Sequence, residues 1–285
     1  MLARMELRRF AAVGDFLEAA GPFLVEREAE HNLMLGVASS LVEAPEAYSG
    51  PPYLAVVTED ARVVAAVLQT PPFRLILSEV DAPAAIGRVA EDVLRRDLPG
   101  VLGPAEHVTS FVHARAALGG PPAHYEMAER VYRLTEVRPV AGVPGRLRPA
   151  NSGDRDLVID WVEAFMREAF GDADPVAVAA DADRWLAGRG RTLHLWEDGD
   201  VVSLAGTGGR TPNGIRIGPV YTPPAARRRG YASALVAAVS QAALDAGRRF
   251  CFLFTDQDNP TANHIYQAIG YEPVRDVVAY RFEPR

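Results

Sequence analysis

Residues 221–232 read Tyr-Thr-Pro-Pro-Ala-Ala-Arg-Arg-Arg-Gly-Tyr-Ala, a run of small and basic side chains suited to holding a polyanion. The stretch before it, 215–220, is strand-like, and 233–246 after it is Ala-rich and helix-forming. A strand that feeds a turn and then a helix leaves the first N–H groups of that helix unpaired, at the positive end of its dipole. Such a terminus binds phosphate. Gly230 has no Cβ and Ala232 intrudes almost as little, so a ligand can approach the backbone closely. Arg227, Arg228 and Arg229 add charge in forks that match phosphate oxygens. The segment therefore reads as a diphosphate-binding turn. It is neither of the two common nucleotide loops, because no Lys-Ser or Lys-Thr follows it and no three-glycine fingerprint is present.

A second block follows at a fixed distance. Residues 250–255 form a compact apolar strand, and Asn259-Pro260-Thr261-Ala262-Asn263-His264-Ile265-Tyr266 leads on to Gly270-Tyr271-Glu272-Pro273-Val274. Asn259 suits an N-cap, Pro260 the first helical turn, and Gly270 the helix stop. The first block resembles the acyl-CoA motif of the GNAT superfamily of N-acetyltransferases: Arg or Gln, two residues, Gly, one residue, then Gly or Ala. Here these are Arg227, Gly230 and Ala232. The second block resembles the next motif of that family, and together they span residues 214–274.

The resemblance implies acetyl-CoA as acyl donor and an amine of a small molecule or peptide as acceptor. The strand end at Val220, Tyr221 and Thr222 would pair with the pantetheine arm. Arg227, Arg228, Arg229, Gly230, Tyr231, Ala232 and Ser233 would hold the diphosphate. Asn259 and Asn263 would touch the pantetheine, although Asn259 reads equally well as a plain helix cap. Tyr266 matches the family's general acid. A phenol keeps its proton at neutral pH and can hand it to a leaving thiolate. The alternative for Tyr266 is an aromatic packed under the sheet, and Tyr271 is the competing acid if the register shifts. The general base is open among Glu163, Glu168 and Asp172, each of which also fits a solvated helix face. His194 and His264 are weaker candidates, and the six histidines show no metal-ligand spacing.

These residues need a scaffold. Residues 139–145, Pro- and Gly-rich, read as a linker. After it come a strand at 146–150, helices at 157–169 and 173–187, a hairpin of strands at 192–196 and 201–206, then the two blocks, and a last strand at 277–282. That order resembles the GNAT fold, and the resemblance implies a GNAT domain over 146–285, an α/β (α+β) fold with a mixed, mostly antiparallel sheet flanked by helices.

Residues 1–138 repeat the plan more faintly. Helices fall at 10–20 and 28–41, strands at 53–57, 62–69 and 74–80, a helix at 84–94, a short apolar run at 101–102, a helix at 107–118 and a strand at 129–134. Where the second half has its Arg-Gly turn, the first has Asp81-Ala82-Pro83-Ala84-Ala85-Ile86, whose carboxylate would repel a diphosphate. The first half thus reads as a degenerate GNAT-like domain that covers the acceptor site or makes a homodimer contact.

With 285 residues, 48% of them hydrophobic, the chain can build two cores. Its net charge of −7 argues against nucleic acid as the main partner. It contains no lysine, so its 30 basic residues are arginines and it has no lysine amine of its own to acylate. The one cysteine, Cys251, excludes an internal disulfide. It reads as core packing, with a covalent acyl-Cys step as the minor alternative. No apolar run approaches ~20 residues, and the first 24 residues make a poor signal peptide, so a soluble cytoplasmic protein without membrane contact is expected. Two other functions stay open: an acyl-CoA-binding regulatory module without transfer activity, and an aminoacyl-transfer or cell-wall peptide enzyme that binds tRNA.

Overall fold

The computed structural model describes residues 4–171 and 173–284. The chain packs as two compact units. One comprises Met1–Val131, Thr255–Asn259 and Pro273–Arg285, and the other Tyr132–Phe254 and Pro260–Glu272. This division runs differently from the expected cut at 139–145, because the chain's last strand packs with its first half. The reason lies in pairing: a strand joins whichever sheet edge matches its length and alternation, regardless of sequence distance.

The first unit runs β1 (Met5–Phe10), α1 (Val13–Glu26), α2 (Asn32–Glu43), β2 (Tyr53–Glu59), β3 (Arg62–Gln69), β4 (Leu75–Leu77), α3 (Ala84–Asp92), β5 (Gly100–Pro104) and α4 (Ala105–Ala117). β6 (Ala123–Leu134) then carries the chain across into the second unit. β1 to β5 pair in sequence order. β1 to β4 are antiparallel, whereas β4 and β5 are parallel. Alternation along β2 divides its side chains between two layers. Tyr53, Ala55 and Val57 join a core with α3 and α4, while Leu54 and Val56 join one with α1 and α2. β1, absent from the sequence expectation, has alternating half-exposed residues that local pattern alone does not single out.

The second unit continues with β7 (Arg146–Pro149), α5 (Arg155–Phe170), α6 (Pro175–Leu186), β8 (Thr192–Asp198), β9 (Asp200–Gly208), β10 (Gly214–Tyr221), α7 (Tyr231–Asp245), β11 (Phe250–Asp256) and α8 (Pro260–Ile269). Its sheet has the order β11-β10-β9-β8-β7, with the end of β6 beside β11. Leu193, Leu195 and Leu204 face α5 and α6, whereas Ala205, Cys251 and Leu253 face α7. α7 buries Tyr231, Leu235, Val236 and Val239, at about 1.5–3 kcal/mol for each large apolar side chain. The expected linker is not a free spacer. Val140 and Val143 pack on this core, and the Arg138 N–H donates to Ile269 O at 2.7 Å. The final strand β12 (Glu272–Phe282) pairs antiparallel with β5, from Val277 opposite Pro104 to Arg281 opposite Gly100. No helix among the described residues is long and apolar enough to cross a membrane.

Candidate active site

β10 and β11 run parallel but share a register only at their starts, where Gly214, Ile215 and Arg216 meet Phe250, Cys251 and Phe252. Further on, β10 bulges at Gly218 and Pro219, between Ile217 opposite Thr207 and Val220 opposite Ala205. A bulge re-aims a strand and ends its pairing on one side. The buried Ser203 hydroxyl donates to Tyr221 O at 3.1 Å, so that carbonyl faces β9. Strand alternation turns the Val220 carbonyl the other way, toward the edge that β11 leaves.

The turn after β10 has its own geometry. Arg228 and Gly230 both sit in left-handed backbone, with φ of 62° and 83°, a curl that gathers N–H groups into an anion-binding concavity. For Arg228 that conformation is strained, as functional backbone often is. Within α7 the first bonded N–H is that of Ala234, to Gly230 O at 3.0 Å. The N–H groups of Tyr231, Ala232 and Ser233 therefore point out of the helix start. A Cβ on Gly230 would lie 2.8 Å from Val143 Cγ2, so glycine is required here by both φ and space.

The three arginines differ. Arg227 is engaged away from the helix start: it grips Glu168 on α5 with contacts of 2.7 and 2.8 Å, and its Nε donates to Thr222 O at 2.8 Å. Thr222 also bonds Ser203 through its hydroxyl at 2.8 Å. Arg228 and Arg229 are exposed and make no ion pair among the described residues. Tyr231 supplies backbone only, since its buried ring ends in a 2.5 Å hydrogen bond to Asp198. The Tyr221 ring is buried against Trp161 of α5, centroids 5.9 Å apart.

On α8, Tyr266 is half-buried, and its hydroxyl has no hydrogen-bond partner among the described residues. Burial pushes its pKa up to about 12. Its ring meets Tyr271 edge-on at 6.0 Å. Tyr271 itself is 2% exposed and its hydroxyl is 2.8 Å from Ser240 Oγ on α7. That phenol is locked in the core, so Tyr271 is not the competing acid. Asn263 accepts a 2.8 Å hydrogen bond from the Tyr132 hydroxyl. Asn259 directly precedes α8, with its N–H donating to Asp256 O at 3.1 Å.

Of the candidate bases, Glu168 is held by Arg227 and Glu163 by Arg167 one helical turn on. Asp172 lies outside the described residues. His194 is half-buried, its pKa lowered by burial, with Nε2 3.1 Å from Thr207 Oγ1, and His264 is exposed. Cys251 is fully buried and burial pushes its thiol up to about 12. A thiol so placed is a poor nucleophile, which removes the acyl-Cys alternative.

In the first unit, the turn ahead of α3 carries Asp81 in ion pairs with Arg27 (2.6 Å) and Arg62 (3.2 Å). An internal carboxylate thus takes up the arginines there. Sequence spacing gave no sign of a further group in that unit, in which Glu79, Glu106 and His107 converge within 4.8 Å. Arg275 inserts its own cation between the two glutamates, 2.6 Å from Glu79. A cavity of 490 Å³ beside it is lined by Glu106, Arg130, Arg275 and Asp276 among others.

The model of the Acetyltransferase (GNAT) family matches residues 156–271. No curated protein matches the chain. Among solved structures, a Drosophila malonogaster protein superposes with a TM-score of 0.70 at 13% identity, covering 98% of both chains. A tandem GNAT protein from the clavulanic acid biosynthesis pathway gives 0.59 at 16%, covering 97% of this chain and 98% of that one. A GNAT-family acetyltransferase from Colwellia psychrerythraea gives 0.55 at 10%, covering 98% and 100%. At these identities the likeness is one of fold, and it extends over both halves of the chain. Residues 156–271, which contain the turn, the open strand edge and Tyr266, thus match the Acetyltransferase (GNAT) family, within a fold similar over its whole length to those of GNAT-family structures, a tandem GNAT protein among them.

Proposed function

We propose that this chain is an N-acyltransferase that takes its acyl group from acetyl-CoA and passes it to an amine by direct attack in a ternary complex. The observation that carries the reading is the combination of outward N–H groups at the start of α7 with a strained left-handed turn and an open β10 edge. The diphosphate would sit on the N–H groups of residues 228–233, with charge from Arg228 and Arg229. The pantetheine would pair with Val220, and Asn263 would lie along it.

The amine nitrogen then bonds to the thioester carbon, the C–S bond breaks and the thiolate leaves as CoA. Tyr266 donates the proton that the sulfur takes up, and the proton lost by the amine goes to solvent. Its raised pKa keeps the phenol protonated throughout the neutral range. A cytoplasmic location belongs to the same proposal.

Calorimetric titration with acetyl-CoA and with acetyl-pantetheine, which lacks the diphosphate, tests the donor. Tight binding of the first alone, at one site per chain, is expected, and no binding of acetyl-CoA would refute the reading. Thiol release over a panel of primary amines then identifies the acceptor. The pairing of both Glu163 and Glu168 favours a second reading, an acyl-CoA-binding module without transfer. Tight binding with no thiol release for any amine would select it.

A further inference from the structure

Tyr132 belongs to β6, in sequence a strand of the first half and well ahead of the family-matched segment. It is nonetheless fully buried in the core of the second unit. Its hydroxyl makes two hydrogen bonds of opposite sense. It donates to Asn263 Oδ1 at 2.8 Å and accepts from Gln267 Nε2 at 3.0 Å. Asn263 and Gln267 are four residues apart on α8 and so share one face of the helix. A single phenol therefore grips α8 at two successive turns. Tyr266 lies in the same turn as Gln267, on the adjoining face. Rotation or sliding of α8 would break one or both grips before it moved Tyr266 far.

We infer that Tyr132 is a positioning residue: its hydroxyl fixes the rotation of α8 about its axis and thereby aims the Tyr266 phenol at the leaving sulfur. The inference rests on Tyr266 being the proton donor. The grip suits the chemistry because Tyr266 has no hydrogen bond of its own to hold it among the described residues. Its aim is set by the helix that carries it and by the edge-on contact with Tyr271. A donor that must meet a developing thiolate gains from pre-set geometry, since misplacement by about 1 Å can cost about 10²-fold in rate.

The experiment compares wild type, Tyr132→Phe, Tyr266→Phe and the double variant in the full-length chain. Thiol release from acetyl-CoA is followed with hydroxylamine as a small surrogate acceptor, and hydrogen exchange is read on the α8 amides. Tyr132→Phe removes one oxygen and keeps the ring that fills the core. It is expected to speed exchange in α8 about 5-fold or more, to lower kcat about 3- to 10-fold, and to leave KM for acetyl-CoA within about 2-fold. In the Tyr266→Phe background the same substitution should change kcat no further, because there is no donor left to aim.

An equal fold loss in both backgrounds would make Tyr132 merely structural and overturn the inference. So would unchanged α8 exchange in Tyr132→Phe, whatever the rates. If Tyr266→Phe turns over like wild type, the donor reading falls first, and that result is separable from failure of the grip. Gln267→Leu, which removes only the accepted bond, should show the same pattern at smaller amplitude, and a wild-type profile for it would also count against the grip.

Discussion

Gly230→Ala is the substitution that the turn geometry reads most directly. At φ 83° an L-residue pays roughly 1–2 kcal/mol for its left-handed backbone, and its methyl would stand 2.8 Å from Val143 Cγ2. If the turn keeps its shape, that strain appears as lost stability, about 2–4 °C in Tm per kcal/mol for a chain of this size. If the turn relaxes, the strain must be restored whenever the N–H groups close on a diphosphate, and it then appears as affinity. A cost of about 1–2 kcal/mol corresponds to roughly a 5- to 30-fold rise in Kd. Calorimetry with two ligands separates the effects. Acetyl-CoA should weaken by that factor, while acetyl-pantetheine, with no diphosphate to hold, should change less than about 2-fold. Val143→Ala in the Gly230→Ala background removes the methyl contact and leaves the φ strain. It should recover part of the loss, not all of it. Equal acetyl-CoA affinity in wild type and Gly230→Ala, with Tm also unchanged, would refute the assignment of the turn.

Tyr271→Phe should cost about 1 kcal/mol through loss of the Ser240 bond. It should leave thiol release at the wild-type rate, and a marked loss of kcat at unchanged KM would return Tyr271 to the mechanism. Glu168→Gln frees Arg227 from a carboxylate, and since both side chains are about half exposed the gain is small. Acetyl-CoA should bind up to about 5-fold tighter by calorimetry, more so at low salt, and weaker binding would show that the pair instead holds the turn in shape. His31, buried between Leu24 O and the Glu79 N–H, has its pKa lowered from 6.5 to about 4, chiefly by burial. The unfolded chain binds that proton first as pH falls, so its contribution is full above pH 6.5 and is lost on the way down to about 4. Denaturant unfolding should show wild type losing about 2 kcal/mol more than His31→Gln between pH 7 and 5. Equal losses would mean that His31 accepts its proton without opening the fold.

Backbone requirements are what make parts of this site legible in the sequence. Gly230 and its neighbours advertise a turn because few residue types tolerate left-handed backbone or a close ligand. The Asn259–Gly270 spacing advertises a capped helix because caps are chemically narrow. Partner choice was not legible. Arg227 has the right residue type for a phosphate, yet its fork is spent on Glu168 and Thr222. That outcome depends on where α5 ends relative to β10 and on no local pattern. Val143 sits in a Pro- and Gly-rich stretch that reads as a spacer, and its methyls instead close the side of Gly230. Tyr132 is one aromatic in an ordinary strand, with nothing around it to mark two hydrogen bonds to a helix some 130 residues away.

The same blindness hid the division of the chain. Alternation in β12 tells which of its faces is buried but not which sheet it joins. The segment that carries the family's motifs is consequently not a self-sufficient body. It takes Tyr132, Leu134 and Val143 from residues that precede it to complete its core and frame its turn. The strand that follows it, β12, pairs with β5 of the first half instead. In the first half the turn ahead of α3 is occupied by the Asp81 ion pairs with Arg27 and Arg62. On the proposed function, the strand that crosses from that half would act mechanically, since its Tyr132 bonds the helix that carries Tyr266.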